Sequence, residues 1–337
     1  MIDSLTIQVK LSYFGNKKLK NDIYTGDVNL EKRLFDRGKF HYGFFFGKID
    51  IYGIFFDSFH AYIFVNLHPS ELLKRMPTEK DVNIIECNVI NLAINELKVP
   101  SNEIELLNLN RIDYNADFRV KNEEERKIIY ELMKEASDRF NNVLKISTDT
   151  SIRYKSKNGY IEFIVYDKEH QVIEKNYFKG TEEEFIKKYK NVIRTEIRIK
   201  NRKLNYNKNT LHIDKSLINY LNNKMANYYF DKYVSKIFFK ETFYRIDVAV
   251  AKIKSDKTLS VKMKEKLSSL LILINSVGFT KAKTKYSSKY SLVTFRDHIK
   301  RIRKLGINPL TFSSKFSIEQ LKNFSLRKDS FENECIK

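Results

Sequence analysis

The stretch Ile161-Glu162-Phe163-Ile164-Val165-Tyr166-Asp167-Lys168-Glu169 decides the reading of this chain. An apolar run with a charged end reads as a strand, Glu162 to Lys168, leaving into a turn. Side chains on a strand alternate faces, so Glu162, Ile164, Tyr166 and Lys168 share one face, opposite Phe163 and Val165. Two further segments repeat the pattern. In Arg111-Ile112-Asp113-Tyr114-Asn115-Ala116-Asp117 the residues Arg111, Asp113, Asn115 and Asp117 fall together. In Val192 to Lys200 the residues Arg194, Glu196, Arg198 and Lys200 fall opposite Ile193, Thr195, Ile197 and Ile199. If the three strands are neighbours, their charged sides make one polar surface.

The surrounding sequence extends a sheet. Leu5 to Leu11 alternates apolar and polar residues, and Phe44 to Phe46, Ile49 to Ile54 and Ala61 to Val65 follow, separated by Gly, Asp and Ser turn signals. Helical spacing takes over from Lys80 to Leu97 and again from Glu123 to Val143. The class expected is α+β, with a mostly antiparallel sheet and packed helices in residues 1–206. After about Tyr206 the pattern turns helical, with helices expected over Leu217–Val234, Lys262–Val277 and Ser291–Leu305, the last stopped by Gly306 and Pro309. Residues 207–337 read as a separate, helical, basic region.

The chain has 337 residues and a formal net charge of +20, from 62 Lys and Arg against 42 Asp and Glu. Such an excess favours an anionic polymer, most simply nucleic acid. Enrichment in Lys, Asn, Ile, Tyr and Phe, as an AT-rich genome gives, is the bland alternative. Lys281 to Lys304 concentrates the charge in Lys281, Lys283, Lys285, Lys289, Arg296, Lys300, Arg301, Arg303 and Lys304, with Asp297 as its acid. These residues are candidates for phosphate contacts, and a solvated helix face is the plain alternative. Two cysteines, Cys87 and Cys335, give neither a disulfide framework nor a metal spacing, so a reducing, cytoplasmic setting is expected. The opening residues lack a signal-peptide pattern, and no apolar run suits a membrane span.

A tyrosine hydroxyl can attack a phosphodiester and leave a covalent phosphotyrosine. Its ordinary pKa near 10 calls for activation at neutral pH. A divalent ion, Mg²⁺ or Mn²⁺, can polarise the phosphate, and takes one or two carboxylates with water and substrate oxygens. Asp113 and Glu196 are the leading carboxylates, with Asp117 a weaker third. Lys168 and Arg194 are candidates to hold the phosphate. The plain reading of the same residues is a packing tyrosine, one of 20, and cross-strand ion pairs.

The order of these pieces resembles the gene II/gene X family of phage and plasmid replication initiators. Met1-Ile2-Asp3 resembles its start, and Ala61 to Leu73 its strand running through a proline into a helix. Arg111-Ile112-Asp113, Tyr166-Asp167-Lys168 and Arg194-Thr195-Glu196-Ile197-Arg198 resemble its Arg-Ile-Asp, Tyr-x-Lys and Arg-x-Glu-x-Arg strands. The resemblance covers most of residues 1–205 and, more loosely, the remainder. It implies rolling-circle initiation at a plasmid or phage origin. One strand is nicked, a 5′ phosphotyrosine forms, and a later transfer rejoins the strand. On this resemblance Tyr166 is the nucleophile and Asp113 and Glu196 are metal ligands. Asp117 has no clear counterpart in the phage proteins, though related Rep_trans plasmid initiators often carry a second acid there. A different rolling-circle class uses a His-x-His pair, and the six histidines here form none. Two rivals stand beside this reading: a mobilisation relaxase or transposase-like tyrosine strand transferase, and a non-enzymatic origin-binding or repressor protein. A host helicase partner and a homodimer are left open by the sequence.

Overall fold

The computed structural model describes residues 2–322 except 26–31, 37–38, 43, 47–48, 76, 137–141, 149, 157, 175–181 and 235–237. The chain first forms β1 (Ile2–Leu11), α1 (Tyr13–Thr25), β2 (Lys32–Asp36), β3 (Lys39–Tyr42), β4 (Phe44–Phe46), β5 (Ile49–Phe56), β6 (Ala61–Leu67), α2 (Pro69–Leu73), α3 (Val82–Leu97) and β7 (Ile104–Arg119). Then come α4 (Glu123–Ala136), β8 (Asn142–Ser147), β9 (Ser151–Ser156), β10 (Ile161–Asp167), α5 (Lys168–Glu174), α6 (Glu182–Tyr189) and β11 (Val192–Lys200). Beyond it the described chain is mainly helical: α7 (Asn201–Leu211), α8 (Leu217–Tyr220), α9 (Asn223–Tyr229), α10 (Ile246–Ser255), α11 (Val261–Val277), α12 (Phe279–Lys289) and α13 (Leu292–Lys304). A short ladder joins β12 (Phe243–Tyr244) to β13 (Gln320–Leu321). The class is α+β, and its sheet is antiparallel in every strand pairing described.

Two compact units interleave along the sequence. One combines Met1–Asn115 with Ile197–Tyr228, and the other combines Ala116–Glu196 with Tyr229–Lys337. The cut near residue 206 read from composition follows the change to helix, whereas compactness divides the chain elsewhere.

In the first unit β1 lies between β6 and β7, with β5, β3 and β2 following β6 and β4 pairing with β5. Alternation sets the sidedness: Ala61, Ile63, Val65 and Leu67 are buried while Tyr62, Phe64 and Asn66 are partly exposed. Helix α3 buries Val82, Ile85, Val89, Leu92, Ala93 and Leu97, as its spacing predicts. Thr78 and Asp81 close a capping box at its approach, and Arg75 Nη1 donates to Asp81 at 2.8 Å. Helix α1 packs on β1 and β6 and was not legible as a helix. Its start is held by Ser12 and Glu103, whose side-chain oxygens both accept from the Gly15 N–H at 3.2 Å. Glycine is required there by close approach, since a Cβ would meet that of Glu103 at 2.9 Å. The Tyr114 hydroxyl donates to the Tyr220 carbonyl at 2.8 Å, tying β7 to α8.

In the second unit the strand order is β7-β11-β10-β9-β8. Tyr154 stacks on Phe163 across β9 and β10, with ring centroids 5.7 Å apart, and Phe238 lies 6.4 Å from Phe163. The Tyr154 hydroxyl donates to the Met133 carbonyl of α4. The strand expected over Glu162–Lys168 ends at Asp167, and Lys168 opens α5. The helix expected to run to Val143 ends at Ala136: Phe140 lies outside the described residues, and Val143 belongs to β8. The helix expected over Leu217–Val234 is interrupted at Leu221 and Asn222, and its last turn, Phe230–Val234, is a π-helix. Asn222 is the physical reason, because its Oδ1 accepts from the Met225 N–H and restarts the helix as a cap. The expectations for α11 and α13 hold within a residue at each end. Gly278 turns the chain between α11 and α12 at φ 79° and ψ 161°, a conformation that is nearly glycine's alone.

Among the described residues no helix is long and apolar enough to cross a membrane. Cys87 is a free, exposed thiol, and Cys335 lies outside the described residues.

Candidate active site

The second unit holds Tyr166, Lys168, Arg194, Glu196 and Asp117. Tyr166 stands near the end of β10, opposite Ser151 of β9. Its hydroxyl donates to Glu196 Oε1 at 2.5 Å. Both side chains are buried, with Tyr166 8% and Glu196 6% exposed. The bond shows that the tyrosine side of β10 and the Arg/Glu side of β11 are one side of the sheet, as strand parity predicts. That side is not a solvated surface. All seven residues of β10 are buried, Glu162 included. Alternation gives sidedness but not what covers each side, so a charged pattern passed for an exposed one.

Arg194 is engaged by Asp117 across the β7–β11 pair. Nε and Nη2 of the guanidinium meet the two carboxylate oxygens at 2.6 and 2.7 Å. Next to it the Thr195 hydroxyl donates to the Ala116 carbonyl at 3.0 Å. A fork-on-carboxylate pair of this kind fixes both partners in orientation. Lys168 Nζ lies 5.8 Å from the centre of the Tyr166 ring and 5.6 Å from that of Tyr189, and donates to Gln171 Oε1 at 2.8 Å. The strand parity that set Lys168 beside Tyr166 is replaced by the first turn of α5, which still carries the ammonium toward the ring.

Sequence reasoning missed the group that anchors this strand end. Asp167, directly after Tyr166 and 4% exposed, lies 3.1 Å from Arg126 Nη1 and accepts from the His170 N–H at 3.0 Å. Arg126 also meets Glu123 at 2.9 Å, Glu169 at 3.3 Å and Asn191 Oδ1 at 3.0 Å. The available signal was one arginine following Glu123-Glu124-Glu125, which by pattern is a solvated helix start.

Asp113 belongs to the first unit. It is 1% exposed and accepts from Ser4 Oγ at 3.0 Å, Arg111 Nε at 3.1 Å and Arg198 Nε at 2.9 Å. Two arginines and a hydroxyl therefore satisfy its oxygens. Among the described residues no group of three or more His, Cys, Asp and Glu side chains is placed to hold a metal ion. Asp113 is bound by arginine in the first unit, and in the second Asp117 is bound by Arg194 while Glu196 accepts from Tyr166.

The nine basic candidates lie on α12 and α13, in the same unit as Tyr166. Lys281, Lys283, Lys285, Lys289, Arg296, Lys300 and Lys304 are exposed. Arg301 pairs with Asp297 at 2.7 Å, and Arg303 pairs with Glu241 at 2.9 Å while lying 5.0 Å from the Phe239 ring. The opposite side of the two helices buries Phe279, Ala282, Tyr286, Phe295, His298, Ile299 and Ile302, so the charged residues form an outer face on a packed support.

No family model and no curated protein matches the chain. Among solved structures it is similar to the rolling circle replication initiator protein from Geobacillus stearothermophilus. The identity is 12% and the TM-score 0.27, over 59% of this chain and 73% of that one. At that score neither the fold nor the role of that protein carries over.

Proposed function

We propose that the protein is a rolling-circle replication initiator that nicks one DNA strand at a plasmid or phage origin with Tyr166 as nucleophile. The observation that carries this reading is the Tyr166–Glu196 hydrogen bond, a hydroxyl and a proton acceptor already in reach of one another. In the step proposed, Glu196 takes the phenolic proton as Tyr166 Oη attacks the phosphorus. The P–Oη bond forms, the P–O3′ bond breaks, and the departing 3′ oxygen takes a proton from water, which the proton held by Glu196 replaces. A 5′ phosphotyrosine and a free 3′ hydroxyl result, and the reverse attack rejoins the strand. Lys168 and Arg194 are assigned to the phosphate charge, for which Arg194 exchanges part of its pairing with Asp117. The exposed face of α12 and α13 is assigned to the flanking DNA. A requirement for Mg²⁺ or Mn²⁺ is part of the proposal, and chelation tests it.

Burial favours a second reading. A tyrosine 8% exposed and two arginine-bound aspartates are what a DNA-binding protein without cutting activity would also have. Incubation with supercoiled plasmid carrying the cognate origin, with Mg²⁺ or Mn²⁺ and with chelator, separates the two. Nicked circles bearing protein on the 5′ end support the nickase. Binding without nicking supports the second reading, and unchanged nicking by Tyr166→Phe removes Tyr166 from its role.

A further inference from the structure

Helix α1 presents one face to an open cleft of about 730 Å³ lined by Phe14, Lys17, Lys18, Lys20, Asn21, Pro100 and Glu103. Positions 14, 17, 18 and 21 are spaced as one side of a helix. Phe14 is 71% exposed, and its ring meets that of Tyr13 edge to face at 5.7 Å. Tyr13 is itself 49% exposed, so two aromatic rings in contact stand open beside lysines, a surface that offers both a π-face and positive charge. The same edge continues onto the β5–β6 turn. Asn16 Nδ2 and Lys20 Nζ both donate to the Asp57 carbonyl, at 3.4 and 3.3 Å, and Phe59 on that turn is 65% exposed. Lys20 Nζ also lies 5.2 Å from the Phe56 ring. The carboxylate of Glu103, the acid in the lining, accepts from the Ser12 hydroxyl and the Gly15 N–H.

We infer that this edge of the first unit binds single-stranded DNA, with Phe14 as a base-stacking platform and Lys17 and Lys20 along the backbone, Lys18 being paired with Asp22. The choice of occupant follows from what each would use. A duplex shields its base faces and would need only the lysines, leaving the exposed ring without purpose. A single strand offers both phosphates and unstacked bases, which is what interleaved aromatic and basic side chains take. This inference rests on the reading that the protein acts on DNA, and it adds a path for the strand that nicking releases.

The test is fluorescence anisotropy with a labelled oligo(dT) and with a duplex of equal length, on the full chain. Phe14→Ala is expected to weaken oligo(dT) binding roughly tenfold while changing duplex binding little. Lys17→Glu serves as a second, surface variant, and is expected to flatten the salt dependence for oligo(dT) by roughly 0.7 for each phosphate no longer neutralised. Unaltered oligo(dT) affinity in both variants overturns the inference, and so does an equal loss on the duplex. Nicking of supercoiled origin plasmid by the wild type, measured in parallel, keeps the two proposals apart. Nicking with no effect of Phe14→Ala sinks only this site. Phe14-dependent oligo(dT) binding without any nicking sinks only the nickase.

Discussion

The Tyr166 hydroxyl and the Glu196 carboxylate share a hydrogen bond of 2.5 Å inside the second unit, on adjacent strands and away from bulk solvent. Tyr166→Phe keeps the ring and withdraws that donor from a buried carboxylate. Stability is expected to fall by about 1–3 kcal/mol in a denaturant titration. Covalent attachment to DNA, read as a mobility shift that survives denaturing electrophoresis, is expected to disappear. Glu196→Gln retains a hydrogen-bonding group but cannot take the proton, so nicking should slow roughly 100-fold with the fold intact.

Arg126 is the partner of Asp167, the residue after Tyr166. Removing one member of a buried ion pair leaves the other charged without compensation. Arg126→Ala should therefore destabilise the protein by about 3 kcal/mol. Arg126→Lys, which restores charge but not the fork, should recover part of the loss. A melting temperature unchanged by Arg126→Ala would show that the cluster holds nothing in place.

Glu135 in α4 gives a pH signature. Its Oε2 is buried with no hydrogen-bond partner, and burial, with the Glu131 charge adding to it, pushes its pKa up to about 9. The unfolded chain loses this proton near the ordinary value of 4.5, so between those values the native state holds a proton that the unfolded state has released. Stability then falls as pH rises through that window. Glu135→Gln has no proton to hold. Its melting temperature should exceed the wild type's by more at pH 8 than at pH 5, and a constant difference would contradict the assignment.

The outer face of α12 and α13 should contribute a salt-dependent, sequence-independent share of DNA affinity. Replacing Lys281, Lys283 and Lys285 by alanine is expected to reduce the slope of log affinity against log salt by about 0.9 for each phosphate left without its lysine. Arg301→Ala should do less, because Arg301 already pairs with Asp297. A slope unchanged by the triple substitution would place the DNA elsewhere.

What the sequence made legible was sidedness. The parity that grouped Arg111 with Asp113, and Arg194 with Glu196 and Arg198, is the parity that pairs Asp113 with Arg198 and Asp117 with Arg194. The α+β class followed from the same periods. What covers a face was not legible, because it depends on residues far along the chain: Phe238 reaches Phe163 from 75 positions away in sequence. Helix α1 escaped notice because Gly15 and its run of Lys and Asn give little apolar spacing over 13 residues. Arg126 escaped for the opposite reason, since its acidic neighbours look complete in themselves.

The interleaving of the two units bears on how such a gene can change. The chain leaves the first unit after Asn115, returns at Ile197 and leaves again after Tyr228. A fragment ending near residue 206 would lack Tyr220, whose carbonyl receives the Tyr114 hydroxyl. A fragment beginning there would lack the strands that complete the second unit. No single break in the reading frame releases an intact piece. Recombination between relatives is therefore expected to exchange whole copies or surface residues such as those of α12 and α13, and truncated products are expected to be degraded rather than to act as partial inhibitors.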